Sequence, residues 1–378
     1  MYPRRGRPNY GKVISEQAIS LNHHEIIVIS PVPYTPFILS LFSKKYREYR
    51  KIPKEDVVKG IKVYYPRYIV PPGAKLFCLT GKLMYLGIKG LVKRLNKKHR
   101  FHLIHSHFAM PDGWAAARLA KKNGSKYINT IQATDLDITI KSCKKELQYA
   151  LTNANRIISP TPALKAKLKA HLNLDAVVIG YGYNQVYHEF VAYNFSRKTL
   201  RIISISRLIK TKGIEDNLRA VKKLKDQGIN LEYKIIGDGE EMENLKALAK
   251  ELDIEDATIF LGWLNHHDAV EELTLSDIFI LPSYRETFGL VYLEALAAGT
   301  IVIGAKGHGF DGIIKNQING FLVRPMEPKD IANVIIYIIK NPLKAKRIAI
   351  RGKLTSKEFT FEKIAKKIDN LYYDAIKG

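Results

Sequence analysis

Cysteine, acidic residues and long hydrophobic runs are scarce in this sequence. Its 378 residues contain two cysteines, Cys78 and Cys143, whose spacing fits neither a metal site nor a redox motif. We expect both to be reduced, buried thiols of a cytoplasmic protein. The longest apolar runs, such as residues 334–339, are far too short to span a bilayer. The N-terminal residues are polar and basic, which does not fit a secretory signal.

The remaining composition is ordinary for a globular protein. Hydrophobic residues make up 46% of the chain and charged residues 26%, as in soluble domains. At this length the chain can form two domains, each with its own hydrophobic core.

The shortage of acidic residues gives the chain a net charge of +25, from 61 Lys or Arg against 36 Asp or Glu. Residues 1–100 hold 21 of the basic residues and 5 of the acidic ones, a net charge of +16. Nucleic acid does not fit as a partner, because no aromatic-interleaved recognition motif accompanies the charge. Residues 76–94 fit either a basic amphipathic helix on an anionic membrane or a solvated lysine-rich face. Three glycines weaken the helix prediction for this segment: Gly81, Gly87 and Gly90.

Strand-like and helix-like segments alternate along most of the chain. Helical periodicity covers residues 115–122, 241–252 and 294–298, and a final helix near residues 362–376 should pack back on the body. This alternation predicts parallel sheets covered on both faces, with ligands at the carboxyl ends of the strands. Candidate strands lie at residues 25–30, 61–65, 102–105, 127–130, 156–159, 177–179, 201–206, 233–236, 258–261, 277–281 and 301–303.

We therefore predict an α/β protein of two Rossmann-like, doubly wound domains that face a cleft. Residues 1–185 form the first domain, joined by the C-terminal helix 357–378, and residues 186–356 form the second. Residues 185–198 lack periodicity and are the expected linker. A turn-rich segment leads directly into the first helix, at residues 12–21, so the first strand is missing. Either the domain begins unusually or about ten upstream residues are absent, which N-terminal mass spectrometry of the native protein decides.

Two glutamates, Glu286 and Glu294, follow the candidate strand 277–281. Pro282 stops that strand, and a helix should run from Gly289 to Ala298. The free amides of a helix N-terminus attract anions such as phosphate. Carboxylates beside such a site are suited to sugar hydroxyls, which donate hydrogen bonds to them. The pattern predicts a nucleotide-sugar site, and the alternative is two surface glutamates near a helix start.

A pair of cations, Arg207 and Lys212, follows the strand at residues 201–206. They emerge at the carboxyl edge of the sheet, where a ligand is expected. Two cations there suit a diphosphate, whose charge must be neutralised both in binding and as a leaving group. The alternative is a basic loop in a basic protein.

The order of these motifs resembles that of the retaining glycosyltransferases of family 4. The resemblance covers nearly the whole chain and is strongest in the C-terminal half. It implies the GT-B fold, in which the C-terminal domain binds most of the donor. Residues 111–113 and 307–309 are most similar to members that build cell-surface polysaccharides. The blocks that carry the resemblance are Arg207-Leu208 to Lys212-Gly213, residues 235–239, 260–262 and 281–283, the Glu286–Glu294 pair, and residues 104–113 and 130–135.

The resemblance implies a role for each matching residue on the donor side. Arg207 and Lys212 would hold the diphosphate, Glu294 the ribose hydroxyls and Glu286 the transferred sugar. Gly237, with the segment after Gly262, would line the base pocket. Backbone amides near the sugar would come from Phe288, Gly289 and Leu290, and Gly11 would let the N-terminal loop approach the phosphate.

On the acceptor and sugar side, the resemblance places His107 toward the cleft. The chain departs from the family at Gln132-Ala133, where members commonly have His-Gly, and at Asp311-Gly312, where a glutamate is common. Glutamine can donate a hydrogen bond but carries no charge near neutral pH, so any role for imidazolium is lost. Activity or sugar preference is expected to differ.

The implied reaction is front-face transfer with retention at the anomeric carbon. The leaving diphosphate helps to deprotonate the acceptor hydroxyl, so Glu286 is a positioning group and no dedicated protein base is required. The donor would carry UDP or GDP, and the acceptor would be a glycan or lipid-linked glycan. The protein would be cytoplasmic, with peripheral attachment to the anionic inner face of the membrane as a further expectation.

No metal cofactor is expected. Asp135-Leu136-Asp137 imitates a metal-binding Asp-x-Asp motif, but one such match arises by chance among 36 acidic residues. Adjacent histidines at 23–24 and 266–267 make poor chelates, because neighbouring side chains diverge on helices and strands.

Two other functions remain open. One is a catalytically impaired GT-B protein that binds nucleotide and docks on a membrane, which Gln132 would suit. It would bind nucleotide and release none from a nucleotide sugar. The other is a nicotinamide-linked oxidoreductase, disfavoured because no G-x-G-x-x-G follows the first strands. Absence of NAD binding would exclude it.

Overall fold

The computed structural model describes residues 2–4, 10–71, 74–183 and 198–377, without the side chains at 39–40 and 74–75. The chain divides into two compact units. The first unit comprises Met1–Pro160, Lys165–Gly182 and Phe361–Gly378, and the second comprises Thr161–Leu164 and Tyr183–Thr360. The predicted linker, residues 185–198, lies outside the described residues except for Lys198.

Strands and helices alternate through both units. The strands are β1 (Ile27–Ile29), β2 (Val32–Pro33), β3 (Glu55–Val58), β4 (Ile61–Tyr64), β5 (Arg67–Tyr68), β6 (Leu103–His107), β7 (Lys126–Thr130), β8 (Arg156–Ser159), β9 (Val177–Val178), β10 (Leu200–Ile205), β11 (Leu231–Ile236), β12 (Thr258–Gly262), β13 (Ile278–Leu281), β14 (Ile301–Ala305) and β15 (Phe321–Val323). The helices are α1 (Lys12–Ser20), α2 (Phe37–Phe42), α3 (Lys44–Lys51), α4 (Thr80–His99), α5 (Trp114–Asn123), α6 (Ile140–Thr152), α7 (Pro162–Leu172), α8 (Ile214–Lys225), α9 (Met242–Glu251), α10 (His266–Leu275), α11 (Leu290–Ala298), α12 (Pro328–Lys340), α13 (Pro342–Ser356) and α14 (Phe361–Lys377).

The first unit contains a parallel sheet whose strands follow chain order, β6-β7-β8-β9, with a helix between each pair. A second sheet has the order β1-β4-β3, in which β3 is antiparallel to β4, and β2 pairs with β5 in a third. The apolar segments that predicted β1, β4 and β6 to β9 do form strands. The very short β2 and β5 and the exposed β3 were not predicted, because they lack a buried apolar run.

Helix α4 bears on both readings of residues 76–94, because part of its apolar surface is buried while Leu86 is 53% exposed. The segment is helical, but its apolar side chains Met84, Ile88 and Val92 pack on Ala115 and Leu119 of α5 in the core. Those side chains are therefore not available to a membrane. The opposite face carries exposed lysines and is the solvated alternative.

Two of the glycines in α4 allow this close packing. A side chain at Gly81 would place its Cβ 2.7 Å from Cβ of Trp114. One at Gly87 would lie 2.6 Å from the carbonyl oxygen of Arg67. The glycines that weaken the helix prediction thus let α4 approach its neighbours. Among the described residues, no helix is long and apolar enough to cross a membrane.

Helix α14 packs on the first unit, as its apolar face predicts. Ile364, Ile368 and Leu371 are buried, whereas Ile376 is 41% exposed and lies outside the packed face. A His24–Asp369 contact of 2.7 Å, from Nε2 to Oδ1, joins the α1 region to α14.

The structure joins Cys78 and Cys143 by a disulfide, which corrects the expectation of reduced thiols. Cys78 lies in the turn before α4, and Cys143 lies in α6, whose backbone leaves helical geometry at that residue. The cysteines are 65 positions apart in sequence, so only the fold of the first unit brings them together.

The second unit has one six-stranded parallel sheet in the order β12-β11-β10-β13-β14-β15. Numbered within the unit, this is the order 3-2-1-4-5-6 of a Rossmann fold. The strand order reverses between β10 and β13, and ligands of such sheets bind at that switch point, beyond the carboxyl ends of the strands. The five predicted strands of this unit all form, and β15 is an addition.

Candidate functional site

The loop between β13 and α11 has the predicted geometry. β13 ends at Leu281, directly before Pro282, and α11 begins at Leu290. Gly289 has φ +81° and Gly299 has φ +84°, so glycines in the left-handed region stand at both ends of the helix. The amide of Tyr292 donates to the carbonyl oxygen of Gly289 at 3.1 Å. The N-terminal amides of a helix otherwise lack an acceptor within the helix, which makes this end a place for an anion.

Glu286 is the centre of this loop. Its Oε2 accepts a hydrogen bond from Nζ of Lys212 at 2.5 Å, and its Oε1 accepts one from the backbone N–H of Thr287 at 3.1 Å. Both charged side chains are only 17% exposed. Water screens such a pair poorly, so the attraction is stronger than at an open surface.

Two neighbouring loops fix the backbone around Glu286. The backbone N–H of Tyr284 donates to the carbonyl oxygen of Thr211 at 3.1 Å, which ties this loop to the one carrying Lys212. The N–H of Gly309 donates to the carbonyl oxygen of Glu286 at 3.3 Å. A Cβ at Gly309 would lie 3.1 Å from Cβ of Glu286, so glycine allows this approach. The Gly307-His308-Gly309 block thus supports Glu286, a role that the sequence did not indicate.

Buried aromatic side chains stabilise the start of α11. The hydroxyl of Tyr292 donates to the carbonyl oxygen of Leu281 at 2.5 Å, and burial raises the pKa of Tyr292 above its ordinary value. The Phe288 ring is 2% exposed and packs edge-on against Phe310 at 4.9 Å. Only the backbone of Phe288 can therefore face a ligand, in keeping with the role that the resemblance implies for it.

Glu294 contacts a histidine that the sequence analysis did not assign to the site. Oε1 of Glu294 lies 3.0 Å from Nε2 of His266, the first residue of α10. The Glu294 side chain is 20% exposed. His266 is 28 residues away in sequence, and the packing of α10 against α11 brings the two residues together.

Arg207 and Gly237 lie at the same edge of the sheet. Arg207 follows β10, is exposed, and pairs with no acidic side chain in the part of the chain that the structure describes. Gly237 follows β11 with φ +135°, and a Cβ there would lie 1.8 Å from the carbonyl oxygen of Ser206. Its N–H donates to the carbonyl oxygen of Gly262 at 2.8 Å. Gly237 thus allows the chain ends after β10, β11 and β12 to lie close together.

His107 ends β6 in the first unit, stacked on His105 with ring centroids 4.6 Å apart. Burial, and then the neighbouring His105, holds the pKa of His107 well below its usual value. Burial lowers the pKa of His105 to about 4. His105 bonds Tyr372 and Thr130, each at 2.7 Å, whereas Nδ1 of His107 has no hydrogen-bond partner among the described residues. Both imidazoles are neutral near pH 7.

Gln132 and Asp135 form a buried network in the first unit. The Gln132 amide donates to the hydroxyl of Tyr181 at 2.5 Å. The Asp135 carboxylate accepts the backbone N–H groups of Ala109 (3.0 Å), Gln132 (2.9 Å) and Met110 (3.3 Å). Burial raises the pKa of Asp135 to about 7 in spite of these hydrogen bonds. Asp135 therefore joins the loops after β6 and β7, which is the structural role expected of it.

Gly11 and Asp137 also lie in the first unit. Gly11 has φ +70° and directly precedes α1. Asp137 pairs with Lys167 at 3.1 Å. The residues described include one exposed grouping of metal-ligand side chains, His267, Asp268 and Glu271, and exposed acidic groups of this kind are common without an ion.

The structure thus brings Lys212 and Glu286 into contact, beside Gly289 and Gly309, and pairs Glu294 with His266. Arg207 and Gly237 lie at the same sheet edge. His107 and Gln132 lie in the first unit, where His107 stacks on His105 and Gln132 contacts Tyr181.

Comparison with known proteins identifies the family of the chain. The family model for glycosyltransferase family 4 matches residues 23–186, and the model for glycosyl transferases group 1 matches residues 187–355. TuaC of Bacillus subtilis, provisionally named a teichuronic acid biosynthesis glycosyltransferase, is 25% identical over 352 residues. The match covers 89% of this chain and 86% of TuaC.

Solved structures show the same fold. Sucrose-phosphate synthase from Thermosynechococcus elongatus has a TM-score of 0.77 at 20% identity and matches 97% of this chain and 93% of its own. Anabaena HepE in complex with UDP and glucose has a TM-score of 0.69 at 17% identity and matches 97% of both chains. These likenesses confirm the predicted GT-B fold. With the two family models spanning residues 23–355, the chain belongs to the family 4 glycosyltransferases.

Proposed function

We propose that this glycosyltransferase moves a sugar from a nucleoside diphosphate sugar to an acceptor hydroxyl, with retention at the anomeric carbon. The observation that carries the proposal is the Lys212–Glu286 pair beside the N-terminus of α11, at the switch point between β10 and β13. A cation, the N-terminus of a helix and a carboxylate there match a diphosphate joined to a sugar.

The ion pair provides the two kinds of contact that such a donor needs. Lys212 would turn from Glu286 to the diphosphate oxygens, and the exposed Arg207 would add a second cation. Glu286 would then accept hydrogen bonds from the sugar hydroxyls. Because both groups are largely buried, their contacts with the donor would be strong and well oriented.

The nucleoside would occupy the region of Glu294 and Gly237. Glu294 would accept hydrogen bonds from the ribose hydroxyls, with His266 orienting its carboxylate from 3.0 Å away. Gly237 and the segment after Gly262 would border the base, and nothing lies within 4 Å of a Cβ added at Gly262. HepE, of the same fold, is described with UDP and glucose, which favours UDP as the first nucleotide to test.

In the proposed reaction the acceptor oxygen attacks the anomeric carbon as the bond from that carbon to the diphosphate breaks. The acceptor proton passes to the leaving phosphate oxygen, so the products are a glycoside and a nucleoside diphosphate. Lys212 and Arg207 stabilise the negative charge that develops on the leaving group, and Glu286 positions the sugar. We expect the two cations to do this without a metal ion.

The first unit would serve the acceptor. His107 is held neutral, and its unpaired Nδ1 can exchange a hydrogen bond with a hydroxyl. Gln132 would act through its buried bond to Tyr181 or through its amide oxygen, and Gly11 would border the phosphate. The name of TuaC supports a cell-surface polysaccharide or a lipid-linked glycan as the product class.

A turnover assay tests the proposal. The full chain is incubated with UDP- and GDP-linked hexoses, with and without glycan and lipid-linked acceptors, and the released nucleoside diphosphate is measured. We expect release from at least one donor, increased by an acceptor. Binding of nucleotide without any release would instead identify the catalytically impaired form that Gln132 suggests, and binding of NAD would favour an oxidoreductase.

A further inference from the structure

Helix α2 and its surroundings expose an unusual number of large apolar side chains. Phe37, Ile38, Leu41 and Phe42 of this helix are 63%, 67%, 57% and 83% exposed. Positions 37, 38, 41 and 42 fall within a sector of about 140° at roughly 100° per residue. They therefore form one face that is turned outward, whereas a helix covering a core turns such a face inward.

Residues from a second part of the chain extend this face. β2 and β5 are paired, and beyond them the N–H of Tyr34 donates to the carbonyl oxygen of Tyr68 at 2.7 Å. Tyr34, before α2, and Ile69, after β5, thus leave the same end of this strand pair, and both are about 60% exposed. The apolar patch is defined by Tyr34, Phe37, Ile38, Leu41, Phe42 and Ile69.

A basic helix borders the patch. α3 contacts α2 and has the sequence KKYREYRK, with exposed cations at Lys44, Lys45, Arg47, Arg50 and Lys51. The Arg50 guanidinium lies over the Phe37 ring, 4.7 Å from its centroid, so charge and apolar surface are in direct contact. Between residues 30 and 54 the sequence has six Lys or Arg and one Glu.

We propose that the apolar patch and α3 form a surface that docks on an anionic phospholipid bilayer. The aromatic and aliphatic side chains would enter the boundary between headgroups and acyl chains, and the cations of α3 would contact the phosphates. Tyr46 and Tyr49, half-buried on α3, are the residue type that favours this interface. The surface does not depend on the proposed reaction, and it differs from α4, whose Met84, Ile88 and Val92 side chains lie in the core.

The positive charge of α3 favours an anionic bilayer over a second copy of the chain as the partner. In a symmetric dimer through the patch, the two α3 helices would approach each other, and each carries five cations and one acidic residue. That repulsion opposes self-association and favours a surface of negative charge. The net charge of +16 in residues 1–100 acts in the same direction.

Sedimentation of the full chain with lipid vesicles tests the proposal. One set of vesicles is phosphatidylcholine alone, and the other is an equal mixture of phosphatidylcholine and phosphatidylglycerol. We expect binding to the anionic vesicles that weakens as salt is raised. The double variant Phe37→Ser/Phe42→Ser and the double variant Lys44→Glu/Lys45→Glu should each bind them about tenfold or more weakly.

Matched controls come from α13 of the second unit. Leu343 and Leu354 are 76% and 55% exposed there, and Lys344 and Lys346 are exposed beside them. Leu343→Ser/Leu354→Ser and Lys344→Glu/Lys346→Glu should bind vesicles as the wild type does. Thermal unfolding of every variant should match the wild type, which separates docking from folding. Failure of nucleotide binding or turnover would leave the predicted vesicle results unchanged.

Two outcomes would overturn the proposal. One is equal binding of the wild type and both α2–α3 variants to the anionic vesicles. The other is a change in oligomeric mass of those variants with no change in vesicle binding, which would assign the patch to a second copy of the chain.

Discussion

Lys212 and Glu286 are both largely shielded from water, and each is the other's principal charged contact in the second unit. A ligand that separates them must offer replacement partners to both, because an unpaired ion at this depth is costly. A sugar diphosphate does so, with anionic oxygens for Lys212 and hydroxyls for Glu286. If the proposed function holds, we expect the pair to favour a sugar diphosphate over a free phosphate or a free sugar.

Replacing the Glu286 carboxylate with an amide tests its positioning role. Glu286→Gln should lower kcat about 100-fold, since an amide accepts fewer hydrogen bonds from the sugar and no longer orients it. The shift in Tm produced by UDP or GDP should persist, because Lys212 and Glu294 remain. Turnover and thermal-shift measurements on the same preparation check both expectations.

Glu243→Gln is the matched control, since Glu243 is an 83% exposed glutamate paired with a lysine elsewhere in the second unit. It should leave kcat unchanged. Wild-type turnover by Glu286→Gln would remove Glu286 from the proposed reaction.

The stacked histidines of the first unit make stability depend on pH. The folded-state pKa of His105 is lowered to about 4 and that of His107 is lowered well below its usual value. Between about pH 4 and pH 6.5 these two residues bind more protons in the unfolded chain than in the folded chain, so their contribution to stability rises with pH in this window. Each histidine contributes at most about 1.4 kcal/mol per pH unit.

His107→Phe keeps a ring against His105 and cannot be protonated. The slope of the unfolding free energy against pH between pH 4 and 6.5 should become shallower than in the wild type, by up to about 1.4 kcal/mol per pH unit. The buried Asp135 acts in the opposite direction in both proteins and cancels in the comparison. Denaturant titrations at several pH values provide the measurement, and parallel slopes would contradict the account.

At the residue scale, the sequence indicated which residues belong to the candidate site better than it indicated which of them contact each other. Glu286, Glu294, Arg207 and Lys212 were identified from their positions after strands, and in the structure Arg207 and Lys212 follow β10, Glu286 follows β13 and Glu294 lies in α11. That Lys212 contacts Glu286 and that His266 contacts Glu294 was not predicted. These contacts span 74 and 28 residues and depend on side-chain geometry that no local pattern encodes.

At the scale of the elements, the close approach of strand ends in the second unit depends on Gly237. Gly237→Ala should lower the unfolding free energy by about 3 kcal/mol or more, because its Cβ would lie 1.8 Å from a backbone oxygen that cannot move aside. Nucleotide affinity should fall with it, since the same loop borders the proposed base site.

Gly262 provides an internal control one strand away. It also has a positive φ, +68°, but nothing lies within 4 Å of a Cβ added there. Gly262→Ala should therefore cost only the conformational strain, about 1–2 kcal/mol. Denaturant unfolding of the two variants side by side makes the comparison, and equal losses would show that φ alone matters at Gly237.

The disulfide between Cys78 and Cys143 connects the turn before α4 to α6 within the first unit. It closes 65 residues of sequence, and the chain-entropy estimate for such a loop is about 4 kcal/mol. Cys78→Ser should lower Tm, and dithiothreitol should lower the wild-type Tm to a similar value. The variant should not respond to dithiothreitol; a wild type that is equally unresponsive would contradict a stabilising disulfide.

The elements themselves were largely predictable. Buried strands such as β13 have continuous apolar runs, and the helix boundaries at Gly289 and Gly299 follow from the glycines. Whether the apolar stripe of α4 faces the core or a membrane was harder to predict, because an apolar stripe beside lysines fits both kinds of helix equally well. Only its contacts with α5 decide between them. The outward face of α2 was not predicted, because the sequence FILSLF in isolation is typical of a buried segment.

At the scale of the whole molecule, the predicted donor residues and the other candidate residues lie in different units. The second unit has the Rossmann strand order, and the residues predicted to hold the donor diphosphate, sugar and ribose lie in it. The first unit carries His107, Gln132 and the apolar patch with α3. The GT-B fold could be predicted because the alternation of strands and helices and the order of motifs extend over nearly the whole chain. The disulfide could not, since its cysteines match no spacing pattern.

Equilibrium titration of nucleotide into the full chain tests the central claim, a nucleoside diphosphate site in the second unit, most directly. UDP or GDP should bind the wild type, Glu294→Ala should weaken that binding at least about tenfold, and NAD should not bind. Glu272→Ala is the control, because Glu272 is another partly buried glutamate paired with a cation in the same unit. It should bind nucleotide as the wild type does. No binding of either nucleotide to the wild type, or equal binding by Glu294→Ala, would contradict the account.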